Sequence, residues 1–307
     1  MADKPHYYGG QAVIEGVMMR GRDHWAVAVR RPDRSIHVES HDVRSSEGRR
    51  RVYGLPFLRG VFALGQALSI GVRALTISAN QSQEEENQLT AGQMAFTMAI
   101  AFIVFTAVFV VGPFIGFRAL RGEVSSSVGR NLLEGLARVA LFLAYIALIG
   151  RLKEMRRVFQ YHGAEHKTIA AFEHDDRLEP GAVDRYSTLH VRCGTNFLLI
   201  VMMLAIVVYA FFPAKGLLVG IVARVVAIPL IAGLSFEMLR LGARFGDSPV
   251  MRVLMKPGLW LQKITTRPPD REQIEVAIAS FNEVLRCEGE ERGEPGAAGL
   301  AERAGPS

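Results

Sequence analysis

Hydrophobic residues along this chain collect into four long blocks separated by charged stretches. The blocks run from Met94 to Phe117, Leu132 to Ile149, Phe197 to Phe212 and Leu217 to Leu234. The first carries no charge over more than about 20 residues, the length a helix needs to cross a hydrocarbon core of about 30 Å. Four such blocks in one chain argue against a soluble helical core and predict about four transmembrane helices. A fifth apolar stretch, Gly60 to Val72, lies between Arg59 and Arg73. It spans only about 20 Å as a helix, so an interfacial or re-entrant helix is expected there.

The two ends follow other periods. Trp25–Val29 and Ile36–Glu39 flank Arg31-Pro-Asp-Arg34, and a Pro-Asp pair between two apolar alternations reads as a hairpin. Gly9, Gly10 and Gly21 punctuate a strand-like Ala12–Met19 before it. A small β-unit is expected. Near the other end, Pro268-Pro269-Asp270 opens a segment in which Ile274, Ala277, Ile278, Phe281 and Leu285 repeat at helical spacing. Beyond Cys287 the Glu/Gly/Ala/Pro tail has almost nothing to bury and is expected to be disordered.

Composition and charge locate these parts. The chain has 307 residues, is 50% hydrophobic and 21% charged, and carries a net charge of +6. Its mean hydropathy is +0.19. Four crossings would put residues 1–91, 151–195 and everything after Leu234 on one side, with roughly 30 of the 36 lysines and arginines. The two opposite loops hold about four. The positive-inside rule then makes both termini and the 151–195 loop cytoplasmic. Acids are spread through the same parts, so no basic face of the kind nucleic acid requires stands out. The lipid bilayer is the expected partner, with other membrane proteins beside it. Two cysteines exclude a disulfide framework. The first residues have no apolar run behind a basic start, so no cleavable signal peptide is expected.

The expected organisation is mainly α. A cytoplasmic β-unit covers residues 1–56, and an interfacial or re-entrant helix with its linker covers 57–91. Transmembrane helices occupy 92–150 and 196–240, on either side of a cytoplasmic loop at 151–195. A cytoplasmic segment and helix follow at 241–286, then the tail at 287–307.

The strongest chemical signal lies in that loop, in Tyr161-His162-Gly163-Ala164-Glu165-His166-Lys167. On a helix His162 and His166 project from one face, one turn apart, the geometry in which two imidazoles hold a divalent metal such as zinc. Glu165 lies where a general base would stand, and His-x-x-Glu-His is the inverted zincin order. The competing reading is a polar helix hydrogen-bonded to the loop around it. A zinc site needs a third protein ligand. Glu173, His190 and Cys193 are the candidates, and nothing in the spacing chooses among them. A second signal is charge within the apolar blocks: Glu134 and Arg138, four apart, Arg224 deep in the fourth block, and Glu237 at its end. An unpaired arginine at membrane depth costs roughly 2.5–3.5 kcal/mol. Glu134–Arg138 can pair along a helix, and Arg224 can bridge to Glu134 from the neighbouring crossing. Structural glue between helices is favoured over a polar path, because no chain of carboxylates is present.

These motifs together resemble domain-of-unknown-function family 1385, the YqhQ-like bacterial membrane proteins. The resemblance runs from Gly9 to about Ala279. It rests on Gly9–Gly21, Asn131–Arg138, Arg157–Thr168, His190–Asn196, Ser235-Phe-Glu237 and Pro257–Thr266. It implies an integral protein of the bacterial cell (inner) membrane, of a kind described as predicted metal-dependent enzymes, with no activity to carry over. This chain has Phe236 where the family has tyrosine, so no hydroxyl role passes to that position. Two functional readings follow. One is a membrane-bound metal-dependent hydrolase or peptidase, acting on a peptide bond of a membrane protein or on a lipid headgroup. The other is a non-enzymatic factor that docks or regulates translocation, insertion or quality-control machinery, with Gly9–Gly21 as part of the platform. A transporter ranks third, since only four crossings and no inverted repeat are evident.

Overall fold

The computed structural model describes residues 8–43, 58–84, 88–119, 127–190, 193–210, 216–244 and 249–292. The chain opens with an antiparallel four-stranded sheet of order β1-β2-β3-β4. The strands are β1 (Gly9–Val13), β2 (Gly16–Arg20), β3 (His24–Arg30) and β4 (Ile36–Asp42). The expected hairpin over Arg31–Arg34 is present, joining β3 to β4 in register from Arg30↔Ile36 to His24↔Asp42. The expected single strand Ala12–Met19 is instead two strands folded back at Ile14–Glu15, with Val13 facing Gly16. Glu15 takes φ 50° there, as tight two-residue hairpin loops require. Gly16 is needed beside it, because a Cβ would lie 2.3 Å from the Ala28 carbonyl oxygen.

Helices cover both faces of this sheet. On one face Val17, Met19, Ala26 and Ala28 share a core with α5 (Lys153–Glu173) and α10 (Arg271–Arg292), through Tyr161, Ala164, Ile274 and Phe281. On the other, Val13, Trp25, Val27 and Val29 pack on Ile70 and Ala74 of α1 (Leu58–Gln81). Burial on both faces explains why β3 reads as an unbroken apolar run. The C-terminal helix was expected to end near Cys287 but reaches Arg292. Glu288 carries it past that point: its buried carboxylate accepts the backbone N–H of Asp23 (2.8 Å) and His24 (3.1 Å). The rest of the expected tail lies outside the described residues.

The apolar blocks form the remaining helices. They are α2 (Ala91–Thr106), which runs through a widened π turn (Ala107–Val111) into α3 (Gly112–Ala119), and α4 (Ser127–Ile149). After the single turn α6 (Pro180–Val183) come α7 (Gly194–Ala210), α8 (Leu217–Arg244) and α9 (Pro249–Thr265). Among the described residues four helices are long and apolar enough to cross a membrane: Arg59–Gln81, Gly92–Phe117, Asn131–Ile149 and Leu217–Leu241. The number agrees with expectation, but the membership differs. The stretch expected to be short and interfacial is a 24-residue helix, because Ala74 and Ile77 beyond Arg73 find burial against the sheet. The expected third crossing is the 17-residue α7, at the lower limit for a span. Phe211 and Phe212 of that block lie outside the described residues.

Helix α1 joins the two halves of the molecule. Gly60 packs on Gly233 and Phe236 of α8, and Arg59 pairs with Glu237. Farther along, Gln66 accepts a hydrogen bond from Arg20 (2.7 Å) before the helix passes beneath the sheet.

Candidate metal centre

The centre is built where α5 crosses the end of α9 and the start of α7. Gly163 permits the crossing, since a Cβ there would lie 2.2 Å from the Arg267 carbonyl oxygen. The close approach brings His162 to the last turn of α9, where helical carbonyls have no partner within the helix. His162 Nδ1 lies 2.9 Å from the Thr265 carbonyl oxygen. One turn on, His166 Nδ1 lies 2.6 Å from the Thr188 carbonyl oxygen. A ring nitrogen facing a carbonyl must carry the proton, so both imidazoles are fixed with Nε2 as the lone-pair nitrogen.

Those lone pairs converge with a sulfur. His162 Nε2 is 3.2 Å from Cys193 Sγ, and His166 Nε2 is buried without a hydrogen-bond partner. One ligand atom from each of His162, His166 and Cys193 lies within 4.8 Å of the others. His166 is 1% exposed and Cys193 8%, while His162 is half-buried. Cys193 immediately precedes α7, and the Thr195 N–H (3.4 Å) and hydroxyl (3.3 Å) both donate to its sulfur. Two neutral imidazoles with pinned Nδ1–H groups and a sulfur that accepts hydrogen bonds are a donor set suited to zinc.

The other candidate ligands stand outside this triangle. His190 has its ring 5.7 Å from that of His166, but its Nε2 faces Glu173 Oε2 at 3.2 Å. Both backbone groups of His190 are held by the Gln262 side chain, at 2.9 Å each. Glu173 and His190 therefore flank the cluster as a pair, and Cys193 is the residue that meets the two histidines. Sequence reasoning missed the supporting layer of Thr188, Thr195, Gln262 and Thr265. The signal was available at one end: Gln262 and Thr265 are polar residues buried on an otherwise amphipathic helix, and Thr266 follows them.

Glu165 turns toward the sheet. Its carboxyl is buried beside Gly10 of β1, where a Cβ would lie 2.9 Å from Glu165 Cγ and Cδ. Burial pushes the carboxyl up to about 7, against the opposing pull of His162 and the Gly10 N–H. Its Oε2 has no hydrogen-bond partner. The neighbouring Tyr161 hydroxyl donates to Glu15 Oε2 (3.3 Å), and Arg157 also pairs with Glu15, so the β1–β2 turn is anchored to α5. Lys167 anchors the opposite side through Asp184 Oδ1 (2.7 Å).

The charged residues of the apolar helices form a separate, closed network. Arg138 donates to Glu134 Oε1 (2.8 Å) and to the Phe109 carbonyl (2.8 Å) that the π turn offers. Arg224 bridges from α8 to both carboxylate oxygens of Glu134, at 3.0 and 2.7 Å. Its guanidinium carbon sits 3.8 Å from the centre of the Phe114 ring. Glu237 is apart from this network, paired with Arg59.

Fold and site together define a multi-pass helical membrane protein whose α/β unit carries a His–His–Cys cluster. The chain belongs to the family described as protein of unknown function (DUF1385), whose model matches residues 55–287. It is 36% identical over 298 residues to the uncharacterized protein YqhQ of Bacillus subtilis (strain 168), covering 92% of this chain and 94% of that protein. That likeness reaches into the β-unit, which the family match leaves out. No solved structure matches.

Proposed function

We propose that this protein binds one divalent metal ion, zinc by its donor set, through His162, His166 and Cys193, and acts as a metal-dependent hydrolase at the cytoplasmic face of the bacterial cell membrane. The supporting observation is the pair of imidazoles pinned through Nδ1 to backbone carbonyls, with Nε2 turned toward one sulfur. Bound zinc supplies Lewis-acid polarisation. Three protein ligands leave a fourth position open, as in catalytic rather than structural zinc sites. The general-base role falls to Glu165, the acid next to His166 in the chain, once its carboxyl turns from Gly10 toward the metal. The acceptor is a peptide bond or lipid headgroup at the membrane surface, three residues being all that separates Cys193 from the apolar run at Phe197.

The membrane placement rests on parity. The sheet, α5 and α10 share one core, so an even number of crossings separates each from the next. The α2–α3 helix and α4 supply one pair, and α7 with α8 supply the other. Helix α1 then lies along the bilayer face, because Arg59 pairs with the end of α8 and Ile70 packs on the sheet of the same side. The basic residues make that side cytoplasmic.

The test is metal content. Protein purified without chelator and offered zinc should hold close to one ion per chain, and His166→Ala or Cys193→Ala should lose it. Wild-type protein that stays metal-free would overturn the proposal. Burial of His166 and Cys193 favours a second reading, in which the metal only clamps α5 to α7 and the unit serves as a docking platform for membrane-protein machinery. Glu165→Gln separates the two: a hydrolase loses its function in cells while keeping its metal, whereas a platform keeps both.

A further inference from the structure

The Gly9–Gly21 hairpin takes part in the metal centre only through Gly10 and Glu15, yet it lines a cavity of about 510 Å³ against α1. The wall on the hairpin side consists of Gly9, Gly10, Gln11 and Arg20, and Ala67 and Ile70 of α1 close the other side. Arg20 dominates its chemistry. The guanidinium is half-buried, and among the described residues it donates to the neutral Gln66 amide oxygen, at 2.7 Å. Burial pushes it below its ordinary range, with no carboxylate acting against that shift. The nearby acids are engaged elsewhere. Glu288 accepts the backbone of Asp23 and His24, and Asp23 lies 3.7 Å from Arg22. Arg22 is a second cation on the cavity rim.

A desolvated guanidinium without a counter-ion among the described residues is a group that anions with paired oxygens recognise, because its fork matches phosphate geometry. Gly9 leaves the rim open at the start of β1, where a Cβ would meet nothing within 4 Å. The apolar floor of Met18, Ala67 and Ile70 suits a ligand that carries hydrocarbon beside its charge. The far flank of α1, through Leu68 and Val72, lines an apolar cleft of about 880 Å³ against Phe102 and Phe105 of α2. We propose that the cavity between the β1–β2 hairpin and α1 binds a phosphate group, supplied by an anionic phospholipid headgroup, with Arg20 as its principal partner. The proposal shares the membrane placement argued above but does not depend on the metal.

The experiment uses the full chain in detergent. Native mass spectrometry counts adducts after addition of phosphatidylglycerol or phosphatidylcholine, and thermal melting follows inorganic phosphate. Phosphatidylglycerol should be retained in preference to phosphatidylcholine. Arg20→Gln should weaken that retention about tenfold, the scale of one charge-assisted hydrogen bond, with Arg20→Lys between the two and zinc content unchanged. Ala67→Phe, which fills the cavity from α1 and leaves Arg20 in place, should weaken it as well, so that a folding defect in Arg20→Gln does not decide the matter. If phosphate raises the melting temperature of the wild type but not of Arg20→Gln, while the two lipids bind alike, the phosphate site stands and its ligand is the free anion. Equal lipid retention with no response to phosphate overturns the proposal.

Discussion

Two buried polar clusters lie in this molecule, and they are finished differently. In the apolar bundle, Glu134 has both oxygens taken by Arg138 and Arg224, and the guanidiniums complete their bonding on the Phe109 and Gly220 carbonyls and on aromatic faces. Where α5 meets α7 and α9, His162, His166 and Cys193 converge while His166 Nε2 is left without a partner. Each unsatisfied buried atom costs on the order of 1–3 kcal/mol. A cluster that satisfies every group functions as glue. One whose backbone contacts hold an unpaired lone pair toward two other ligand atoms is arranged for something that arrives later.

The largest effect expected from breaking this contrast is in the bundle. Glu134→Gln removes the one negative charge shared by two buried arginines, and removal of one partner from such a network costs about 3–5 kcal/mol. Thermal melting in detergent should fall steeply, while the protein that remains folded keeps its full metal content. Loss of metal without loss of stability would reverse the roles assigned to the two clusters. At the metal centre the test is the response to zinc. Without metal, His166→Ala should melt below the wild type, because it leaves a cavity and frees the Thr188 carbonyl. With free zinc at 1,000 times its dissociation constant, the wild type alone should gain about 4 kcal/mol. A chelator titration followed by melting measures both, and equal gains in the two proteins would remove His166 from the site.

How much of this was legible in the sequence depends on the distance over which residues act. The His162/His166 face and the Glu134–Arg138 pair are local consequences of a 3.6-residue turn, and both are read directly from spacing. The Arg224 bridge to Glu134 follows from the need of a buried charge for a partner. Cys193, rather than Glu173 or His190, meets the histidines because α7 begins beside the end of α9, and Gln262 sets His190 back onto Glu173. No spacing along the chain encodes that. Helix α1 was misjudged as short for a related reason: hydropathy falls at Arg73, whereas Ala74 and Ile77 are buried by a sheet formed elsewhere in the chain. The turn at Ile14–Glu15 was hidden because Glu15, not glycine, occupies the positive-φ position.

A smaller effect sharpens the link between the two regions. Gly258 of α9 lies so close to α7 that a Cβ would fall 1.7 Å from Asn196 Oδ1. Gly258→Ala should therefore push the first turn of α7 away from α9, at about 1–3 kcal/mol in melting. It should also weaken zinc binding, because Cys193 and the Thr265 carbonyl sit on the two helices being separated. A stability loss with unchanged zinc affinity would show that the centre does not depend on this contact.

The mildest change tests the sulfur alone. The Thr195 hydroxyl donates to Cys193 Sγ at 3.3 Å, and the Thr195 N–H supports the same atom at 3.4 Å. Thr195→Val keeps the shape and the backbone donor and removes only the hydroxyl. In the metal-free protein it deletes one weak bond to sulfur, so melting should stay close to that of the wild type. With metal, the hydroxyl is an outer-shell partner of a ligand, and such partners are worth about 10-fold or more in affinity. Zinc competition against a chromophoric chelator should show that loss for Thr195→Val, while Thr195→Ser retains most of the affinity. If Thr195→Val bound zinc as tightly as the wild type, the hydroxyl would add nothing to the site, and the sulfur would be held by the Thr195 N–H and its two histidine neighbours.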